Sequence, residues 1–118
     1  PMIVDGQVHG GIAHGIGNAL LEWMGYDEAG QPVTTNFAEY LLPTAPAFPM
    51  FETHYMQTPS PLNPLGAKGA GEVGTIPAAA AVIGAIEDAL QPFGVHITQS
   101  PVTPARLVEL IAHGRPET

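Results

Sequence analysis

The sequence contains no cysteine, so its own residues can build neither a disulfide, an iron–sulfur cluster nor a zinc–thiolate site. Cations are nearly as scarce: three Lys and Arg stand against eleven Asp and Glu, a formal net charge of −8. Such a balance gives no electrostatic grip on nucleic acid or on an anionic membrane, and both are set aside as partners. Charged residues of either sign make up only 12% of the chain, about half the roughly 25% of an ordinary soluble domain. A surface so poor in charge is expected to be covered by other protein. No apolar run approaches the ~20 residues of a membrane span, and no basic stretch followed by an apolar one opens the chain. A cytoplasmic location is the resulting expectation.

What the chain has instead is glycine and proline, 14 and 13 of its 118 residues. That length suits one domain with a modest core, enough to fold alone. The glycines concentrate in Gly66-Ala67-Lys68-Gly69-Ala70-Gly71-Glu72-Val73-Gly74-Thr75, which sets four glycines, one cation and one carboxylate in ten positions. Glycines so spaced let a backbone approach a ligand closely with its amides turned inward, which makes a cradle for an anion. The apolar run Ile76 to Leu90 then reads as a helix, with Thr75 as cap and Pro77 in its first turn. Glu72 therefore lies just before a helix N-terminus, whose positive end favours its charge. Spacing alone admits a plainer role, a glycine-rich loop in which Glu72 only offsets the helix dipole. Lys68 stands out as one of three basic residues.

Upstream, Pro1 to Val4 reads as the end of a strand. Val8, Ile12, Ile16, Ala19, Leu20 and Trp23 then recur at helical spacing and predict a helix over about Val8 to Met24. Gly10, Gly11, Gly15 and Gly17 weaken that helix by up to ~1 kcal/mol each relative to Ala, so another backbone or a cofactor must press on the glycine face. His9 and His14 are five residues apart and do not share a helical face, which disfavours a metal-binding pair. Each reads more simply as a hydrogen-bonded structural histidine, and no metal ligand is assigned.

Tyr26 to Pro32 is a turn by composition and joins Trp23–Tyr26 to Val33–Asn36 in an expected hairpin. Phe51 to Met56 alternates as a strand does, Pro59 to Pro64 is a stiff link, and Val95 to Thr98 is an expected last strand. Thr103 and Pro104 start a final helix that runs to about Ala112 and stops at Gly114. Glu87, on the second helix, reads as a plain surface carboxylate. These elements predict an α+β fold, a two-layer domain with a mixed sheet and about three helices.

The segment Leu65 to Thr75 resembles the Gly-X-Gly-Glu loop near the end of the large, molybdopterin-binding subunit of the molybdenum hydroxylases, the family of xanthine dehydrogenase, aldehyde oxidoreductase and aerobic carbon monoxide dehydrogenase. Asp5-Gly6-Gln7-Val8-His9-Gly10-Gly11-Ile12-Ala13-His14-Gly15-Ile16-Gly17 is similar to that family's other glycine-rich segment, and Pro59-Ser60-Pro61-Leu62-Asn63-Pro64 also fits. The resemblance covers about Val4 to Ile111 and is best to the bacterial carbon monoxide dehydrogenase-like branch. It implies that residues 1–118 are a C-terminal portion of a molybdopterin-binding domain within a longer polypeptide, an inference to which the start at Pro1 rather than Met adds.

The resemblance further implies a molybdenum–pterin cofactor in its cytosine dinucleotide form, with iron–sulfur and FAD centres on partner chains or domains. The reaction class it implies is hydroxylation of an aldehyde, an N-heterocycle or carbon monoxide with water-derived oxygen. Glu72 matches the catalytic glutamate, the base at molybdenum. Gly10, Gly11, His14, Gly15, Lys68, Gly69, Ala70 and Gly71 match positions around the cofactor; the position of His14 is often Gln in the family. Isolated, the chain is expected to fold but to hold no stoichiometric molybdenum and to be inactive. Two other readings stand beside this one: a cofactor-binding or assembly module without turnover, and an unrelated apolar interaction domain whose glycines serve packing.

Overall fold

A computed structural model describes residues 1–114. Three helices carry the structure: α1 (Met2–Leu20), α2 (Thr75–Ala89) and α3 (Pro104–His113), with short 3-10 turns at Ala45–Ala47 and Gln91–Phe93. The mixed sheet expected from the sequence does not form. Among the described residues the sole pairing of β type is an isolated bridge between Tyr26 and Pro32, so the fold is helical with long irregular connections, not a two-layer α+β domain.

The reason is that alternation predicts how side chains are disposed, while a strand also needs a partner edge for its backbone. Phe51 to Met56 finds none and is held by side chains: the Asp5 carboxylate accepts from the Thr53 hydroxyl at 3.0 Å and from the Tyr55 phenol. Val95 to Thr98 finds none either, and the Ile97 amide donates to the Glu87 carboxylate at 2.7 Å. The expected hairpin survives as a turn. The Asp27 side chain accepts from the amides of Ala29 and Gln31, Gly30 takes the positive φ of 77° that the turn requires, and buried Thr34 accepts from the Gly25 amide at 2.9 Å.

The first helix starts earlier than its apolar stripe suggests. Residues 2–4, expected in a strand, form its first turn, with Asp5 placed where the positive helix end favours a carboxylate. Its fully buried positions include one residue of the stripe, Ala19, and otherwise the glycines Gly11, Gly15 and Gly17. The N-terminal half of α2 lies on the glycine face, and Ala78 is the buried residue of α2. The second helix begins at Thr75 itself, with Gly74 at the cap position and no side-chain cap, so Thr75 is not the cap the sequence suggested. The third behaves as expected: Thr103 accepts from the Arg106 amide at 3.2 Å, Pro104 opens the helix and Gly114 follows its end.

The segment before α3 closes the fold by returning to the end of α1, where the Val102 amide donates to the Ala19 carbonyl at 2.6 Å. Ala19 and Val102 are wholly buried, and with Ala78 and Val95 they make up the buried apolar core. That is smaller than the modest core expected. The accessible surface is 9017 Å², against roughly 6,100 Å² for a compact monomer of this mass. The radius of gyration is 18.0 Å, against about 13–14 Å. Large apolar side chains such as Met2, Phe37, Met50, Met56, Leu62 and Leu65 stand in the open.

Candidate functional site

The glycine loop is built from its entrance inward. Asn63, in the turn that ends the proline-rich link, grips the Ala67 peptide from both sides: its Oδ1 accepts from the Ala67 amide at 2.8 Å and its Nδ2 donates to the Ala67 carbonyl at 3.0 Å. The Gly66 amide donates to the Asn63 carbonyl, and the Gly66 carbonyl accepts from the Ser60 amide, both at 3.1 Å. Gly66 has φ 64°, a conformation that L side chains avoid. Sequence reasoning placed Asn63 only within the stiff link Pro59 to Pro64; an Asn followed by Pro and closing on a Gly is the signal that could have marked it.

Beyond this clamp the backbone stops bonding to itself. None of the amides from Lys68 to Gly74 donates to another described residue. A Cβ added at Gly69 or Gly71 would meet nothing within 4 Å, so the inner loop has free space as well as free donors. At its far end the Glu72 carbonyl accepts from the amides of Thr75 and Ile76, each at 3.1 Å, which ties the loop to the first turn of α2. The Glu72 carboxylate is exposed and has no hydrogen bond to a described residue. The loop does not pack around it.

Both glycine-rich segments singled out in the sequence meet here through their backbones. A Cβ on Gly11 would lie 2.8 Å from the Thr75 nitrogen and 2.9 Å from the Gly74 Cα, and one on Gly15 would collide with the Ala78 Cβ. The pressure on the glycine face of α1 therefore comes from α2. Gly11 and Gly15 are buried, and Gly10 is exposed with open space at its Cα. The amides of Gly10, Gly11, His14 and Gly15 lie within the helix. Any contact these residues make with a ligand must therefore come from their exposed edges or from the His14 ring.

Two clefts adjoin the loop–helix junction. One, of about 350 Å³, is lined by His14, Asn18, Glu22, Thr75 and Ile76; the exposed His14 ring lies on it, and Glu22 accepts from the Tyr40 hydroxyl at 2.8 Å. The other, of about 430 Å³, runs between Val8 and Ile12 of α1, Tyr55 and Met56, and Ala70 and Val73 of the loop. Its outer wall is the segment that Asp5 holds. The hydrogen bonds from Tyr55 and Thr53 lower the Asp5 pKa below the ordinary carboxylate value, and the same Asp5 bond raises that of Tyr55.

The Lys68 Nζ donates to the Thr58 hydroxyl at 2.8 Å; sequence reasoning gave Thr58 no part. His9, read as a hydrogen-bonded structural residue, packs edge-on against Phe51 at 5.5 Å, with its Nε2 buried and without a partner among the described residues. No cluster of three or more His, Asp or Glu among the described residues could hold a metal ion. No helix of the described residues is long and apolar enough to cross a membrane.

The donor set is thus a run of neutral amides in open space at a helix start, which suits a phosphate-bearing ligand. Comparison with known proteins agrees with that chemistry. Residues 1–49 match a model of the molybdopterin cofactor-binding domain. The chain is 46% identical over 108 residues to the nicotine 6-hydroxylase large subunit of Paenarthrobacter nicotinovorans, covering 92% of this chain and 13% of that one. It is 40% identical over 110 residues to the carbon monoxide dehydrogenase large chain of Hydrogenophaga pseudoflava, covering 91% and 14%. The crystal structure of quinoline 2-oxidoreductase from Pseudomonas putida 86 superposes with a TM-score of 0.93 at 47% identity, over 98% of this chain and 15% of that one. The chain thus spans about one-seventh of the length of the relatives it matches. The two glycine-rich segments, their contact and these likenesses together show that the chain belongs to the molybdenum hydroxylases, as part of the molybdopterin-binding large subunit.

Proposed function

We propose that this chain forms one wall of the active site of a molybdenum-dependent hydroxylase, with Glu72 as the general base. The observation that carries the proposal is the inner loop from Lys68 to Gly74, where no amide donates to a described residue and the one carboxylate accepts from none. When bound, the molybdenum–pterin cofactor supplies the redox chemistry that takes two electrons from a substrate carbon and delivers a water-derived oxygen to it. The rest falls to side chains and amides of this chain. The amides of Gly69, Ala70 and Gly71 donate to anionic oxygens of the cofactor, in space that the missing Cβ atoms of Gly69 and Gly71 leave open. His14 and Gly10 present their exposed edges to the same ligand, Lys68 adds a positive charge at the loop mouth, and Gly11 and Gly15 seat α2.

Glu72 then accepts, at a carboxylate oxygen, the proton that the water-derived oxygen gives up as it attacks. A base held within reach of that proton is worth about 10²- to 10⁴-fold in rate. The full assembly of this proposal includes the remaining part of the large subunit and partner chains carrying iron–sulfur and FAD centres, because a chain without cysteine cannot hold the clusters. The cytosine dinucleotide form of the cofactor, an aldehyde, N-heterocycle or carbon monoxide substrate, and a cytoplasmic site of action belong to the same proposal. Molybdenum analysis of the intact enzyme, with substrate-dependent dye reduction, tests it. Molybdenum near one per large subunit together with turnover is expected. Molybdenum without turnover on any of these substrate classes would leave a binding or assembly module, and no molybdenum an interaction domain.

A further inference from the structure

A Cβ at Gly11 would meet only backbone: the Thr75 nitrogen at 2.8 Å and the Cα and carbonyl carbon of Gly74 at 2.9 Å. No flexible side chain can move aside to make room. Gly74 and Thr75 are in turn tied to Glu72, whose carbonyl accepts from Thr75 and Ile76 at 3.1 Å each. A displacement at Gly11 is therefore passed through two residues of backbone to the carboxylate. One turn further along α1 the contact differs in kind. A Cβ at Gly15 would collide chiefly with the Ala78 methyl, a side chain that can be trimmed.

We infer that Gly11 is a positioning residue for Glu72: its missing side chain sets how closely the start of α2 approaches α1, and so where the Glu72 carboxylate stands. The inference rests on the reading of Glu72 as base. Gly11 touches no reacting atom and acts only through the backbone of Gly74 and Thr75. Because a misplacement of about 1 Å can cost roughly 100-fold in rate, a methyl at Gly11 affects kcat out of proportion to its effect on stability.

The test uses the intact molybdenum-loaded enzyme, with Gly11→Ala, Gly15→Ala and Gly15→Ala/Ala78→Gly compared at equal molybdenum content. Gly11→Ala should lower kcat about 10- to 100-fold with KM nearly unchanged. Combined with Glu72→Gln it should lower kcat little beyond what Glu72→Gln does alone. Gly15→Ala should lower the melting temperature, and Ala78→Gly should restore it. Gly6, on the same helix with open space at its Cα, supplies a helix-strengthening Gly6→Ala background in case Gly11→Ala folds poorly.

Parent-like kcat per molybdenum in Gly11→Ala would overturn the inference, as would an undiminished effect of Gly11→Ala in the Glu72→Gln background. So would failure of Gly11→Ala to retain molybdenum even with Gly6→Ala, because the glycine would then serve assembly. If Glu72→Gln itself keeps parent turnover, the base reading fails first and is identified as the cause.

Discussion

At the scale of single residues, the side chains that organise this site are those that hold backbone in irregular segments. Asp5 is one. Its pKa is lowered by the Tyr55 and Thr53 bonds, so its contribution is fully present above the unfolded value near pH 3.8 and is lost as pH falls through the lower folded value. The raised pKa of Tyr55 works in the opposite sense: its contribution is present below about pH 10 and is lost as pH rises through the higher folded value. In the intact subunit, Asp5→Ala should therefore lower the melting temperature at pH 7. The difference from the parent should shrink as the medium becomes more acid than pH 4. An equal difference at both pH values would show that Asp5 does not hold residues 51–56.

Glu87 is a second such residue and corrects the reading of it as plain surface. It accepts from the Ile97 amide at 2.7 Å and from His96 at 3.2 Å, and the Ile97 amide, then His96, lowers its pKa. Glu87→Ala should lower the melting temperature of the enzyme measurably more than Asp88→Ala, whose exposed side chain makes no hydrogen bond to a described residue. Neither Asp5 nor Glu87 was legible as an anchor, because each works across 9 or more residues of sequence. The residues that act on their own neighbours were legible: the glycines of the loop, the turn at Asp27 to Gly30, and Thr103 with Pro104.

At the scale of elements, the helices divide by what makes them. Local signals suffice for α3: Thr103 caps it and Pro104 fits its first turn. Thr103→Ala should cost about 0.5–2 kcal/mol, read as a drop in melting temperature. Gly114 ends it for a reason the sequence did not give. Its φ of −60° is ordinary, but a Cβ would collide with the Phe93 carbonyl oxygen and lie 3.2 Å from that of Leu110. The first helix is the opposite case. Five glycines in 19 residues would leave it marginal alone, and it stands because α2 lies on the glycine face. Apolar periodicity included Ala19 but missed the three buried glycines and the start of the helix, since a buried glycine carries no hydrophobic signal. The expected sheet failed similarly: Phe51–Met56 and Val95–Thr98 have the strand pattern, but no partner edge for either lies within the described residues.

At the scale of the molecule, the sparse charge and the exposed apolar side chains agree. Some 9017 Å² of surface on a 12.3 kDa chain, with four buried apolar residues among those described, is too little burial for independent stability. The expectation that the isolated chain folds alone is revised accordingly. Expressed by itself, it should unfold without a cooperative thermal transition or associate through its apolar surface, and it should retain no molybdenum. Co-expression with the rest of a large subunit should give a soluble species with one cooperative transition. A monomeric isolated chain with a sharp transition would contradict this account.

The central claim is that the carboxylate of Glu72 moves a proton during turnover, and Glu72→Gln in the intact enzyme addresses it most directly, since the amide keeps size and hydrogen bonding but takes no proton near neutral pH. Turnover and molybdenum content are to be measured on the same preparation. The account predicts a fall of about 10²- to 10⁴-fold in kcat, with molybdenum content and melting temperature unchanged and binding of a substrate analogue changed less than turnover. Near-parent turnover at full molybdenum content would contradict it and leave Glu72 a residue of the helix start.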